Sequence, residues 1–286
     1  RRQLGGARRP PAAGRGGGRA RRGLMRLLSL LYHDVVGAEG FAGSGPQGGD
    51  ADVYKLPRDA FAAHVAAVAA VASPPAVPLE AVAAGEGPPA VVFTFDDGGV
   101  GGYHHAAPVL EAAGWRGCFL VTTDWIGTAG FMDAAQLREL HARGHVIGSH
   151  SCSHPARISA LPDARLAAEW RDSVARLEEV LAQPVRVASV PGGFLSDRVA
   201  AHAFDAGVRL LFTSEPTATV RRRGDRALAG RFSIMRGDPP AKARAFAADA
   251  RLPQVRQAAY WNAKKVLKRL GGEQWLRLRR RLLRDA

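Results

Sequence analysis

Two short segments carry residues whose types and spacing suit metal-assisted hydrolysis. An apolar run ends in TFDDG at residues 94–98, so Asp96 and Asp97 place two adjacent carboxylates where a strand should stop. His150 and His154 follow another apolar run at a spacing of four residues. Two imidazoles and one carboxylate can hold a metal ion, and the second carboxylate is then left to act as a base. The combination predicts an enzyme that hydrolyses a C–N bond.

The elements that must position these residues alternate as in a parallel α/β protein. Seven continuous apolar runs suit buried parallel strands, at 27–32, 90–95, 116–121, 145–149, 185–190, 208–213 and 230–235. Helical patterns lie between them, at 57–72, 104–113, 133–143, 163–182 and 197–206. This alternation predicts an α/β fold with a parallel sheet, of the distorted (β/α) barrel type with about seven parallel strands.

Polar or glycine-rich groups follow several of these strands. His33 comes directly after the first run, Trp125 lies shortly after the third, and Pro191 and Gly192 follow the fifth. In parallel α/β barrels the functional groups collect at the carboxyl ends of the strands. We therefore expect all of these residues to face the same site as the paired carboxylates and the two histidines.

The net charge of +14 is concentrated at the two ends of the chain. Residues 1–26 carry nine Arg and no acid, and residues 242–286 carry thirteen Lys or Arg against three acids, which leaves a net −5 on residues 27–241. The absence of a basic stripe through the body argues against nucleic acid as a partner. We expect three parts: a disordered basic tail at 1–24, the main domain at 25–240 and basic amphipathic helices at 241–286.

Cysteine usage and hydropathy bear on the compartment. Cys118 and Cys152 are too few for a disulfide framework, and no apolar stretch of the sequence approaches ~20 residues, so we expect a cytoplasmic protein. The C-terminal helices could pack on the body with a solvated basic side, or dock on anionic lipid as a peripheral membrane contact. The oligomeric state stays open.

Residues 90–215 resemble the polysaccharide deacetylase family, also called the NodB-homology domain, whose fold is a distorted (β/α) barrel. TFDDG matches the first motif of the family, and HSCSH at residues 150–154 matches the second. The resemblance implies that Asp96 is the catalytic base and that Asp97, His150 and His154 bind a divalent metal. Zinc is the default ion for this ligand set.

The chain departs from the family pattern at two points. The third family motif carries an Arg two residues before its Pro, where this chain has Ser189, and no histidine lies beyond His202 to serve as the usual late acid. Pro191 and Gly192 remain, so backbone N–H groups near them could stabilise an oxyanion.

His33 is our candidate for the missing acid. The segment YHDV at residues 32–35 resembles the opening of the biofilm poly-N-acetylglucosamine deacetylases, in which the acid histidine sits on the first strand. Histidine titrates in the range that an acid–base role needs, and Asp34 could support it. The alternative is a strand-end histidine held by backbone hydrogen bonds. Trp125 could stack on a sugar ring or cap the barrel.

The resemblance implies a metal-dependent hydrolase that removes N-acetyl groups from an amino-sugar glycan or its precursor. Two alternatives stay open: another non-peptide amide hydrolase on the same scaffold, and a non-catalytic carbohydrate-binding relative that kept its metal. The missing Arg and late histidine favour the non-catalytic relative. The intact Asp96 favours an enzyme, because a protein that only binds metal has no need of a base.

Overall fold

Nine strands form one curled sheet in the computed structural model, which describes residues 26–75, 79 and 90–263. The strand order is β11-β1-β4-β5-β6-β7-β8-β10-β9, with parallel pairing from β11 through β10 and antiparallel pairing only between β10 and β9. Two short strands, β2 and β3, pair separately in parallel. The strands are β1 Leu27–Tyr32, β2 Asp34–Val36, β3 Lys55–Pro57, β4 Ala90–Phe95, β5 Gly117–Val121, β6 Val146–Ser149, β7 Val187–Ser189, β8 Leu210–Phe212, β9 Arg221–Arg223, β10 Arg226–Ala229 and β11 Phe232–Ser233.

The sheet curls until both of its edges reach β1. Leu30 pairs with Phe232 of β11 in the second half of β1. At the other end, Thr219, which leads into β9, forms a bridge with Arg26, and Leu27 N–H donates to the Ala218 carbonyl. The predicted distorted (β/α) barrel is therefore confirmed.

All seven predicted strands are present, and the parallel part of the sheet contains one more. The additional strand is β10, in which residues 227 and 229 are buried while 226 and 228 are half-buried. Its partner β9 consists of three exposed arginines. This hairpin carries no continuous apolar run, which is why the hydropathy pattern does not reveal it.

Helices cover the outer face of the sheet. They are α1 Gly49–Asp52, α2 Arg58–Ala69, α3 Ala107–Ala112, α4 Ala134–Ala142, α5 Asp163–Leu181, α6 Asp197–Asp205, α7 Pro240–Ala247 and α8 at residues 251–263. A π-helical turn at Gly102–Ala106 leads into α3. None of the helices in the described ranges is both long and apolar enough to cross a membrane.

The described part of the predicted C-terminal helices, residues 241–263, is divided between α7 and α8. Asp249 adopts a left-handed backbone with φ 56°, and its carboxylate accepts hydrogen bonds from Arg26 and from Gln254. A non-glycine residue in this region ends a helix. The tail at 1–24 and residues 264–286 of the predicted C-terminal helices lie outside the described residues, and the domain boundaries stay a prediction.

Alternation along the strands divides the buried side chains between two faces. On β4, Val91 and Phe93 belong to an apolar cluster shared with the helices. Ala90 and Val92 belong to a second cluster, made almost entirely of strand residues, and we call this side the inner face. Because successive side chains of a strand point to opposite faces, each strand delivers one set of side chains to the barrel interior.

Candidate active site

This alternation places three predicted site residues, and Ser189 with them, on the inner face at the carboxyl ends of their strands. Asp96 shares the parity of Val92, and His150 shares that of Val146. Ser189 shares the parity of Val187, and His33 that of Leu27. Even-numbered steps from an inward-facing apolar residue lead to another inward-facing residue. The strands therefore bring these side chains together although they lie far apart in the sequence.

Asp97, His150 and His154 form a compact cluster of potential metal ligands. Asp97 Oδ1 lies 3.6 Å from Nε2 of His150 and 3.6 Å from Nε2 of His154, and all three ligand atoms lie within 4.8 Å of one another. Ligands of one tetrahedral zinc ion are about 3.4 Å apart, given metal–ligand distances near 2.1 Å. The residues present therefore fit a divalent ion.

The backbone of this cluster is strained. Among the described residues, five non-glycine positions have positive φ, and Asp97 (73°), Ser151 (66°) and His154 (51°) are three of them. Such conformations are costly for residues with a Cβ and persist where the surroundings enforce them, as at functional sites. The concentration of strain supports a functional role for this cluster.

Both imidazoles are held in the neutral form that binds metals. Burial lowers the pKa of His150 to about 3 and also lowers the pKa of His154. The Nδ1 atom of His150 lies 2.6 Å from the Ser189 hydroxyl and 3.1 Å from the Ser189 carbonyl, so Nδ1 carries the proton. This leaves Nε2, on the side of Asp97, with a free lone pair for an ion.

Asp96 is ionised and held by a buried arginine. Arg231 donates from two nitrogens to the two carboxylate oxygens, at 2.7 and 2.8 Å, and the Ser189 hydroxyl donates to Oδ1 at 3.0 Å. Burial by itself would raise the pKa of Asp96, but the charge and the hydrogen bonds of Arg231 hold the pKa well below its usual range. Asp96 Oδ2 lies 3.9 Å from His150 Nε2, so the carboxylate borders the ligand cluster.

Arg231 is the functional residue that the sequence analysis missed. It immediately precedes β11, is fully buried and also donates to the Thr213 carbonyl. The arginine expected at position 189 is thus replaced by one that reaches the same carboxylate from another strand. The sequence does carry a signal for it: Arg231 is the one charged residue in the apolar run at 230–235. A buried arginine must be paired, so its presence there indicates a buried acidic partner.

His33 lies at the site, next to the paired carboxylates. Burial lowers its pKa, while the charges of Asp97 and Asp96 raise it. The Nδ1 atom of His33 is buried without a hydrogen-bond partner in the described part of the chain, and the ring lies 4.5 Å from that of Tyr54. A strand-end histidine satisfied by the backbone would not leave this nitrogen unpaired.

Asp34 points away from His33, because adjacent residues of an extended segment face opposite sides. Its Oδ1 accepts from Val35 N–H at 2.8 Å. The carboxylate occupies space that a Cβ at Gly99 or Gly101 would need, at 2.2 and 2.5 Å. Asp34 therefore packs under the turn that follows Asp96-Asp97, and the expected support of His33 by Asp34 is not seen.

We expect the stability of the protein to report the ionisation of Asp34. Burial raises its pKa to about 7, and Oδ2 has no hydrogen-bond partner among the described residues. Since the unfolded pKa is near 3.9, the folded state retains a proton that the unfolded state releases, so the free energy of unfolding should fall as pH rises from about 4 to 7. Asp34→Asn mimics the neutral form and should stabilise the protein at pH 8 by on the order of 2–4 kcal/mol.

Urea denaturation of wild type and Asp34→Asn at pH 5 and pH 8 tests this expectation. The difference between the two proteins should grow with pH. Asp50→Asn, an exposed carboxylate in α1, serves as the matched control and should show no such trend. An Asp34→Asn difference that is the same at both pH values would contradict a buried neutral carboxyl.

The predicted substrate-side residues lie around the ligand cluster. The Trp125 ring stacks on His154, with ring centroids 5.5 Å apart, and is half-buried. Pro191–Gly193 form a tight turn after β7, in which Gly192 has φ 60°. Gly193 and Phe194 donate their N–H groups to Val190 and Pro191 inside this turn, so of the two glycines only Gly192 keeps its N–H outside the turn's own hydrogen bonds.

Fold and site together define a class of protein: a curled parallel α/β barrel with an Asp/His/His ligand cluster and a paired carboxylate at the carboxyl ends of its strands. Residues 84–211 match the family model described as polysaccharide deacetylase. This segment contains both motifs, so the predicted resemblance to the polysaccharide deacetylase family is confirmed over residues 84–211.

A protein of known sequence is similar to this chain and has a name of the same family. The chain is 28% identical over 138 residues to the Bacillus subtilis (strain 168) protein YxkH, whose name places it among polysaccharide deacetylases. The match covers 48% of this chain and 49% of YxkH, so the chain spans about half the length of that relative.

Two solved structures share the fold over most of the chain. IcaB from Ammonifex degensii has a TM-score of 0.63 at 26% identity, covering 78% of this chain and 97% of IcaB. The Streptococcus pyogenes deacetylase PplD, solved in complex with acetate, has a TM-score of 0.63 at 20% identity, covering 76% of this chain and 96% of PplD. His33 and Arg231 both lie outside residues 84–211 of the family match.

Proposed function

We propose that this protein is a metal-dependent hydrolase that removes N-acetyl groups from an amino-sugar glycan. The observation that carries the proposal is the ionised Asp96, fixed by Arg231 and Ser189 directly beside the Asp97/His150/His154 cluster. A held carboxylate next to a set of potential metal ligands is the arrangement that metal-assisted amide hydrolysis needs. The fold shared with PplD, a deacetylase by its description, supports the proposal.

Asp97, His150 and His154 would hold a divalent ion, most simply Zn²⁺, which when bound acidifies water and polarises the acetyl carbonyl. Asp96 accepts a proton from the attacking water while the water oxygen bonds to the acetyl carbon. Arg231 and Ser189 fix the carboxylate in position, and the Gly192 N–H donates to the developing oxyanion. His33 protonates the nitrogen as the C–N bond breaks, and acetate and a free amine leave.

Burial lowers the pKa of the His33 imidazole, and the charges of Asp97 and Asp96 raise it. The two carboxylates beside the ring therefore favour the protonated form that this last step needs. The non-catalytic alternative has lost part of its support, because the arginine that seemed to be missing is supplied by Arg231. Another amide on the same scaffold stays an alternative outcome of the test.

The test is acetate release from a panel of chitin oligosaccharides by zinc-loaded protein. Wild type should release acetate, and His33→Ala should reduce kcat by about 10²–10⁴-fold, since it removes the acid. An aryl acetate ester should be hydrolysed almost equally by both proteins, because its leaving group needs no proton. Equal loss on both substrates would contradict the acid role of His33. No release from any sugar by metal-loaded wild type would contradict the sugar proposal and favour another amide or binding alone.

A further inference from the structure

Helix α8, which lies beyond the family match, docks on the edge strand of the barrel. The Gln257 side chain accepts from Ser233 N–H at 3.2 Å and donates to the Ser233 carbonyl at 2.9 Å. These two hydrogen bonds pair the amide with the free side of β11, the strand next to Arg231. An edge strand covered in this way fixes the position of the helix over the barrel.

The same helix face carries Trp261 to the rim of the active site. Trp261 lies four residues after Gln257, so the two side chains share one side of the helix. A Cβ at Gly193 would lie 2.9 Å from Cη2 of Trp261, which places the indole directly on the turn after β7. That turn follows Ser189, the residue that contacts both Asp96 and His150.

The left-handed Gly193 is what allows this approach. Gly193 has φ 70°, a conformation that side chains rarely adopt. A Cβ at this position would also lie only 3.1 Å from Oγ of Ser214. Any larger residue at 193 would displace the indole. Trp261 is half-buried in this position, whereas Leu252, Val255 and Tyr260 of the same helix are more than half exposed.

Trp261 joins two other half-buried aromatic rings around the candidate active site. Trp125 stacks on His154, and Tyr54 lies against His33. Aromatic side chains at the edge of a polar site give broad apolar faces at low entropic cost. The C–H faces of sugar rings are the natural complement of such faces, and the three rings approach the site from three different elements.

We propose that Trp261 is a substrate-binding residue that stacks on a sugar unit next to the one being deacetylated. The inference rests on the proposed function and adds to it a residue of this chain that binds a second sugar unit of the substrate. Trp125 stacks on the ligand His154, whereas Trp261 contacts Gly193 of the Pro191–Gly193 turn. Because the two rings lie against different parts of the site, a sugar unit held at the ligand cluster beside Trp125 leaves Trp261 to the next unit.

Two apolar replacements of Trp261 separate stacking from packing. Trp261→Leu keeps apolar bulk against Gly193 but removes the aromatic face, and Trp261→Phe keeps the face. For chitopentaose, Trp261→Leu should raise KM by about three- to tenfold with little change in kcat, and Trp261→Phe should restore most of the loss. Hydrolysis of the aryl acetate ester should be unchanged in both variants. Tyr260→Ala, an exposed aromatic on the same helix, is the matched control and should behave as wild type.

Three results would overturn the proposal, and they differ from one another. A KM for chitopentaose that is unchanged in Trp261→Leu would show that the ring does not bind substrate, while the deacetylase function stands. If the Leu and Phe variants lose ester hydrolysis and thermal stability to the same extent as each other, Trp261 has a packing role. A wild-type protein that releases acetate from no oligosaccharide and binds none in calorimetry would contradict the proposed function, and this inference with it.

Discussion

Replacing Asp96 by Asn is expected to reduce acetate release by about 10²–10⁴-fold without loss of the bound metal. The amide keeps the size of the carboxylate but cannot accept the proton of the attacking water. Asp96 is not one of the three residues of the ligand cluster, so Asp97, His150 and His154 should still hold the ion. The measurement is kcat for chitin oligosaccharides, together with metal content by elemental analysis.

The control for this variant is Asp124→Asn. Asp124 lies on the turn after β5 at the same end of the barrel, but it is exposed and outside the ligand cluster. Its replacement should leave both activity and metal content unchanged. An Asp96→Asn protein that retains its metal and deacetylates at the wild-type rate would show that another group takes the proton.

The sequence predicts the fold well because buried parallel strands have continuous apolar sequences. Each of the seven runs became a strand, since both faces of these strands are covered, by helices outside and by the barrel interior inside. The β9–β10 hairpin was not predicted because one of its strands consists of three exposed arginines. A strand at the edge of a sheet can be polar, and its sequence then looks like a loop.

The candidate site, too, could be predicted from the sequence only in part. The ligand cluster could be predicted because its residues lie in two short motifs of diagnostic type and spacing. The Arg231–Asp96 pair could not be predicted in this way, because it joins residues 135 positions apart that belong to no common motif. The family resemblance pointed to position 189 for an arginine, but the chemistry requires only that a guanidinium reach the carboxylate, from whichever strand lies close enough.

Arg231→Met is expected to lose both stability and activity. Asp96 is 4% exposed and Arg231 is fully buried, so the neutral side chain would leave a carboxylate buried without its counter-charge. Breaking one side of a buried ion pair costs about 3–5 kcal/mol. Burial would then raise the pKa of Asp96 in the folded state, so the acid limb of the pH–activity profile should move to higher pH.

The double variant Arg231→Met/Asp96→Asn separates these two losses. Removing both charges should recover much of the stability that Arg231→Met alone loses, because no uncompensated charge remains, while activity should stay absent without the base. Arg231→Lys keeps the charge but not the two-point contact, and should fall between wild type and Arg231→Met. Urea denaturation of metal-loaded wild type, Arg231→Met, Asp96→Asn and the double variant measures the coupling between the two residues. Equal stability of wild type and Arg231→Met would mean that the carboxylate finds another partner, and the assignment of Arg231 as the group that holds the base would then be wrong.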